Sequence, residues 1–297
     1  MNNWPTLSEF LHAPVEEVRK VAPATMIYTP GGTRRAGVLA GIEPWSPEFV
    51  RWARLQMLNC CNVIFAHGVN QLILPALVPT NFQEVNDRHD QLTRWVAWAI
   101  AGAETMQHYA EQGWRVRLIC DERVPQLLPV VEQLRSQTAA TGPHTLYWTV
   151  TFDTAGLWQQ LLTRLAQHPV TTQEAAVRLC YGEDIPPASL LLSFGKPLIS
   201  YGLIPPLLLG DLECYWTQRA GYSVDSEQLR TILHDYAYLR RTWQPEKLTR
   251  AHAAKEHPGA WQAGATLGIG TRLGPFWYPR EAVGEGQAAA EMAEAAD

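Results

Sequence analysis

The chain has 297 residues, 46% of them hydrophobic, and a formal net charge of −5. That length and apolar share support one large α/β domain or two small ones, and the mildly acidic balance, with no clustered basic face, argues against a nucleic-acid partner. Five cysteines without C-x-x-C or zinc spacing read as reduced, buried thiols, the pattern expected of a cytoplasmic protein.

Residues 7–21 read as a helical segment interrupted at Pro14. The opening is polar and then helical, without the pattern of a secretory signal. Residues 24–29 are a first apolar strand. They lead into Thr29-Pro30-Gly31-Gly32-Thr33-Arg34-Arg35. A helix follows with Ser46 as N-cap, Pro47 at its first position and Glu48 in its first turn, running to Phe65 and stopping at His67-Gly68. Residues 71–78 form a continuous apolar strand of the kind covered on both faces, in which Pro75 must break a ladder bond.

Residues 80–88 are polar and loop-like, a helix is predicted over 90–112, and a third strand over 114–120. A short helix spans 124–137, 139–143 is a linker, and 146–152 is a fourth strand. Helices follow at 154–167 and 171–180, the second capped by Thr171 or Thr172. Strands are predicted at 189–194 and 212–217, a helix at 225–242 capped by Asp225 or Ser226, and a last strand near 265–270. The Ala/Glu/Gly-rich end, 279–297, is expected to be a disordered tail to a single domain over 1–278. Strands alternating with helices predict an α/β fold, a mostly parallel central sheet of about six strands flanked by helices. No run of about eighteen apolar residues occurs, so membrane insertion is not expected.

Four groups carry candidate chemistry. The glycine–arginine loop after the first strand joins a sharp, N–H-rich turn to two planar cations suited to phosphate oxygens. It is either a diphosphate cradle at the carboxyl end of a strand or a glycine turn with two solvated arginines. Asn86-Asp87-Arg88-His89-Asp90 places Asp87 and Asp90 one turn apart, which fits either Mg²⁺ bridging a diphosphate or a solvated helix start. His67 ends a buried helix, where it either meets the dipole or serves catalysis. Lys196 follows the fifth strand, on the sheet edge where the arginine pair and the acidic cluster fall. Twelve tryptophans exceed what a core demands and suit a pocket that holds a cation against apolar walls.

The order of motifs resembles the cis-prenyltransferase (undecaprenyl-diphosphate synthase-like) superfamily. The closest likeness within it is to the bacterial diterpene synthases of the tuberculosinol synthase and kolavelool synthase type. The likeness is carried by Gly31-Gly32-Thr33-Arg34-Arg35, Phe65-Ala66-His67-Gly68-Val69, Asp87-Arg88, Cys120-Asp121 with Leu128-Pro129, Tyr181-Gly182-Glu183, Ser193-Phe194-Gly195-Lys196, residues 229–240 and Phe276-Trp277. It implies ionisation of a bicyclic, labdane- or clerodane-type prenyl diphosphate and capture of the allylic cation by water to give a diterpene alcohol. Such a substrate comes from a class II diterpene cyclase. By the same resemblance Gly31, Gly32, Thr33, Arg34, Arg35 and Lys196 hold the diphosphate, and Phe49 and Trp277 line the hydrocarbon pocket. His89, at a tyrosine position of the family, handles the water. Asp87 and Asp90, or Glu84, carry Mg²⁺, and the enzyme is a homodimer. The main departure is Gly31, where the family has an aspartate. That loss disfavours a chain-elongating cis-prenyltransferase and suits a non-catalytic subunit of the same fold, while both arginines speak for a working site.

Overall fold

The computed structural model of the protein describes residues 4–84, 88–238, 255, 270–273 and 276–279. The N-terminal segment forms α1 (Leu7–His12) and α2 (Val15–Arg19), divided at Pro14. Strands β1 (Thr25–Thr29), β2 (Gln71–Leu77), β3 (Arg115–Cys120), β4 (Thr145–Val150), β5 (Ala188–Phe194) and β6 (Leu209–Thr217) make one sheet in the order β3-β4-β2-β1-β5-β6. Every neighbouring pair is parallel. The predicted mostly parallel sheet is therefore the fold.

Burial follows the two-residue period of a strand. Met26 and Tyr28 of β1 face a large cluster that also takes Leu72, Leu146, Leu190, Phe10, Ile64 and Leu233. Ile27, between them, faces a smaller cluster with Ile73, Tyr147, Leu191, Val177 and Ile204. All five residues of β1 are buried, as a central strand between two helical layers must be. The pairing of β2 with β4 slips between Pro75 and Leu77, which is the break that a proline without an N–H imposes.

The helices between strands are α3 (Thr33–Leu39), α4 (Pro47–Ala66), α5 (Pro79–Phe82), α6 (Arg88–Ala101), α7 (Ala103–Gln112), α8 (Leu128–Gln137), α9 (Thr154–Gln167), α10 (Gln173–Tyr181) and α11 (Ser226–Tyr238). Ser46 Oγ accepts from Phe49 N at 3.1 Å and caps α4. Thr172 caps α10, and the Asp225 carboxylate accepts from Gln228 N at 2.7 Å at the start of α11.

Several boundaries differ from the sequence reading. The helix predicted over 90–112 is two helices that break at Gly102, whose backbone is extended and where a Cβ would lie 2.5 Å from Trp98 O. The helix predicted over 124–137 opens with a 3₁₀ turn at Pro125–Leu127 before α8. The predicted loops after β1 and β2 hold α3 and α5. Residues 265–269 of the predicted last strand lie outside the described residues, as do 280–297 of the predicted tail. Gly270–Leu273 (β7) and Phe276–Pro279 (β8) form a separate antiparallel pair.

Candidate active site

The sheet places a crevice before any side chain is considered. The chain leaves β1 for β2 on one side and leaves β5 for β6 on the other. The carboxyl ends of β1 and β5 therefore flank the point where strand order reverses, the usual ligand site of an open parallel sheet. Thr29 Oγ1 and Ser193 Oγ tie the two ends together at 2.5 Å.

Beyond Thr29 the chain turns on Pro30-Gly31-Gly32. Gly32 has φ +68°, a conformation that only glycine adopts cheaply. Gly31 is needed for space, since a Cβ there would lie 2.7 Å from Phe194 Cδ1. The loop after β6 closes on this turn from the far side. Gly221 N donates to Gly31 O at 2.7 Å, and the Tyr28 hydroxyl donates to Gly221 O at 3.1 Å. The Tyr222 hydroxyl hydrogen-bonds Thr33, and burial pushes its phenol well up, so it stays protonated.

Three predicted cations, Arg34, Arg35 and Lys196, meet here beside a fourth, Arg88. Arg34 pairs with Glu84 through Nη2 and lies 4.7 Å over the Trp45 ring. Arg88 lies 4.8 Å over the same ring. Arg35 lies 5.5 Å over Phe194. Lys196, two residues past β5, lines the same cleft and is exposed at its mouth. Gly31, Gly32 and Thr33 line it too. The cleft has a volume of about 890 Å³. Its remaining walls are largely aromatic and aliphatic, among them Phe49, Trp95, Trp148, Met57 and Ile100. One end thus offers fixed cations to an anion, and the rest offers π faces and apolar surface to a hydrocarbon.

The acidic groups do not all join this site. Glu84 lines the cleft; His89 and Asp90 are not among its lining residues. They sit in the first turn of α6, half-exposed, with His89 Nε2 3.3 Å from Asp90 Oδ1. Asp87 and the side chain of Trp277 lie outside the described residues. Among the described residues no three His, Cys, Asp or Glu side chains assemble a metal site. Among the described residues the one carboxylate in the cleft lining, Glu84, is engaged by Arg34. The described side chains therefore do not fit a protein-ligated Mg²⁺. His67 stands apart from the cleft as a structural clasp: Nδ1 donates to Val63 O at 2.7 Å, and Nε2 accepts from Ser226 Oγ at 2.9 Å. Burial lowers its pKa, which suits the neutral ring.

Sequence reasoning missed Trp45, Trp95, Trp148 and Tyr222 as individual lining residues. One signal for Tyr222 was present. Ala220-Gly221-Tyr222 is a glycine turn after a strand, as Gly31-Gly32 is.

No family model matches the chain. It is 42% identical over 281 residues to the (+)-kolavelool synthase of Herpetosiphon aurantiacus, covering 94% of this chain and 97% of that one. It is 25% identical over 257 residues to the tuberculosinyl adenosine transferase of Mycobacterium tuberculosis, covering 78% and 82%. In fold it resembles lavandulyl diphosphate synthase from Lavandula x intermedia, solved with dimethylallyl diphosphate, at TM-score 0.61 and 14% identity over 75% of this chain and 98% of that one. A probable undecaprenyl diphosphate synthase from Campylobacter jejuni gives TM-score 0.55 and 13% identity over 74% and 98%. The fold is that of the cis-prenyltransferases, and the chain belongs to the kolavelool synthase-like family of diterpene synthases.

Proposed function

We propose that the protein ionises a bicyclic, labdane- or clerodane-type prenyl diphosphate and captures the resulting allylic cation with water, giving a diterpene alcohol. The observation that carries this reading is a single cleft with Arg34, Arg35 and Lys196 at one end and aromatic walls along the other. The allylic C–O bond breaks with its electron pair leaving on the diphosphate. Arg34 and Arg35 stabilise the charge that develops on the departing oxygens, the kind of preorganised electrostatics that dominates catalysis. Arg34 changes partner in the process, since its ion pair with Glu84 gives way to a group of higher charge. The ring faces of Trp95 and Trp148 stabilise the cation left behind. His89 stands outside the cleft lining and is given no step. A class II cyclase supplies such a bicyclic substrate.

The test is product analysis by gas chromatography–mass spectrometry. The purified protein is incubated with geranylgeranyl diphosphate and with bicyclic diphosphates of the clerodane and halimane types, with and without Mg²⁺, and with isopentenyl diphosphate as an elongation control. A diterpene alcohol from one bicyclic substrate is expected. Longer prenyl products would assign chain elongation instead, and no product at all would favour an accessory subunit.

A further inference from the structure

Two guanidiniums share one ring at the ionic end of the cleft. Arg34, in the first turn of α3, lies 4.7 Å over Trp45, and Arg88, the first residue of α6, lies 4.8 Å over it. The ring itself is held from two sides. Ser46, next in the chain, caps α4 and donates through Oγ to Glu43 O at 2.7 Å, which fixes the turn that carries Trp45. Trp95 packs against the ring at 5.6 Å. Arg88 and Trp95 are two turns apart on α6 and so share a face, which brings both to Trp45.

Charge on this ring is not balanced. Arg34 pairs with Glu84, whereas among the described residues Arg88 meets no carboxylate. Held on a single ring, the two cations repel each other, and an anion between them relieves that repulsion. A tryptophan face attracts cations through its quadrupole. A ring that already serves two of them has little left for a carbocation, which the guanidiniums also repel. Trp45 therefore belongs to the anion's end of the cleft, and Trp95 begins the hydrocarbon's. Arg88 is exposed and does not itself line the empty cleft. Reaching the cleft takes a swing about the lining ring and no unpacking.

Resting on the function proposed above, we propose that Trp45 is a positioning residue that gathers Arg34 and Arg88 into a two-guanidinium clamp, and that Arg88 binds the diphosphate beside Arg34. Arg34 exchanges Glu84 for the diphosphate while its guanidinium stays on the ring. Arg88 closes from the α6 side. Planar guanidiniums suit this arrangement, because each stacks by its face and donates by its edge.

Isothermal titration of the purified full chain with inorganic pyrophosphate tests the clamp without turnover. Arg88→Gln should weaken binding about tenfold. Trp45→Leu keeps every charge and should weaken it at least as much, with partial recovery in Trp45→Phe, whose smaller ring still has a π face. Because Arg88 acts through the ring, the double variant should lose little more than Trp45→Leu alone. Unchanged binding in Arg88→Gln, or losses that add in the double variant, overturns the clamp. Geranylgeraniol, which has a hydrocarbon chain without the charge, separates the two tasks a ring can have here. Its affinity should be the same in Trp45→Leu as in the wild type. A loss confined to geranylgeraniol would return Trp45 to the hydrocarbon wall and overturn the assignment. Arg88 is exposed, so Arg88→Gln remains a test if Trp45→Leu fails to fold. A wild-type protein that binds pyrophosphate yet yields no diterpene alcohol sinks the function proposed above and leaves the clamp standing; one that does not bind pyrophosphate overturns the clamp.

Discussion

Two strand ends on the same edge of the sheet carry arginine–carboxylate pairs, and they behave differently. At the end of β3, Asp121 is wholly buried. It accepts from Arg123 N at 3.1 Å, Arg123 Nε at 3.0 Å, Arg123 Nη2 at 2.7 Å and Phe152 N at 3.1 Å. Burial alone would raise its carboxyl; the Arg123 and backbone bonds outweigh that and hold it below the usual range. At the end of β1, Arg34 meets Glu84 and an aromatic ring, with its side chain 40% exposed. The first cluster is saturated and can only be structure. The second keeps donors for a guest. Charge at a strand end does not mark a site, therefore; charge that can change partner does.

The largest effect should come from opening the saturated end. Asp121→Ala leaves the Arg123 and Phe152 backbone N–H groups without their acceptor, at about 1–3 kcal/mol each, and is expected to destabilise the fold by about 3–5 kcal/mol in chemical denaturation. A loss within experimental error would mean that the β3 end is as open as the other. Next come Arg34→Ala and Arg35→Ala. Each should slow diphosphate release about 10²–10³-fold, or ~2.7–4 kcal/mol of barrier, with little change in melting temperature. Near-normal release in both would remove the cradle assignment.

A smaller effect sharpens the geometry of the open end. Gly31→Asp forces Phe194 aside and should cost about 1–3 kcal/mol of stability, as overpacking does. Adding Phe194→Ala should recover most of it in a double-mutant cycle. Additive losses would show that the ring is not the obstacle. The smallest effect lies outside both ends. The neutral His67 is favoured in the fold, because burial sets its pKa below the ordinary 6.5. Its contribution is complete above that pH and declines as pH falls from there toward the lowered value, with a slope of at most about 1.4 kcal/mol per pH unit. Thermal melts of His67→Gln between pH 7 and 5 should lose that slope, whereas an unaltered slope would assign it to His108 or His144, whose pKa values burial also lowers.

Most of the fold was legible because it is written locally. Continuous apolar runs marked the parallel strands, and Ser46, Thr172 and Asp225 marked helix starts through cap chemistry. The break at Gly102 was not, since a lone glycine in a helical pattern usually reads as tolerated. Helix α3 was hidden by its seven residues and its glycine. Of the site, Arg34, Arg35 and Lys196 converge as strand-end residues should. What escaped depends on distant partners. Tyr222 matters because its loop folds back on Gly31, and Arg88 counts only because Trp45 brings it to Arg34 from a later helix. Phe194, noted in a motif, gained its meaning only from its 2.7 Å approach to Gly31.

The bond from Tyr28 to Gly221 joins residues 193 apart, and that from Thr29 to Ser193 joins residues 164 apart. The central strand thus leaves the ribosome among the first elements, while the loops that complete its cradle come near the end. At ~5–20 residues per second the gap from Tyr28 to Gly221 lasts about 10–40 s. Until β5 has been made, at Phe194, β1 lacks one of its two neighbours, and its apolar edge is exposed to misassociation. A nascent chain halted before residue 193 has both arginines and no site to put them in. Binding of a diphosphate ligand would accordingly report that synthesis has passed β6, which makes the cradle a sensor of its own completion.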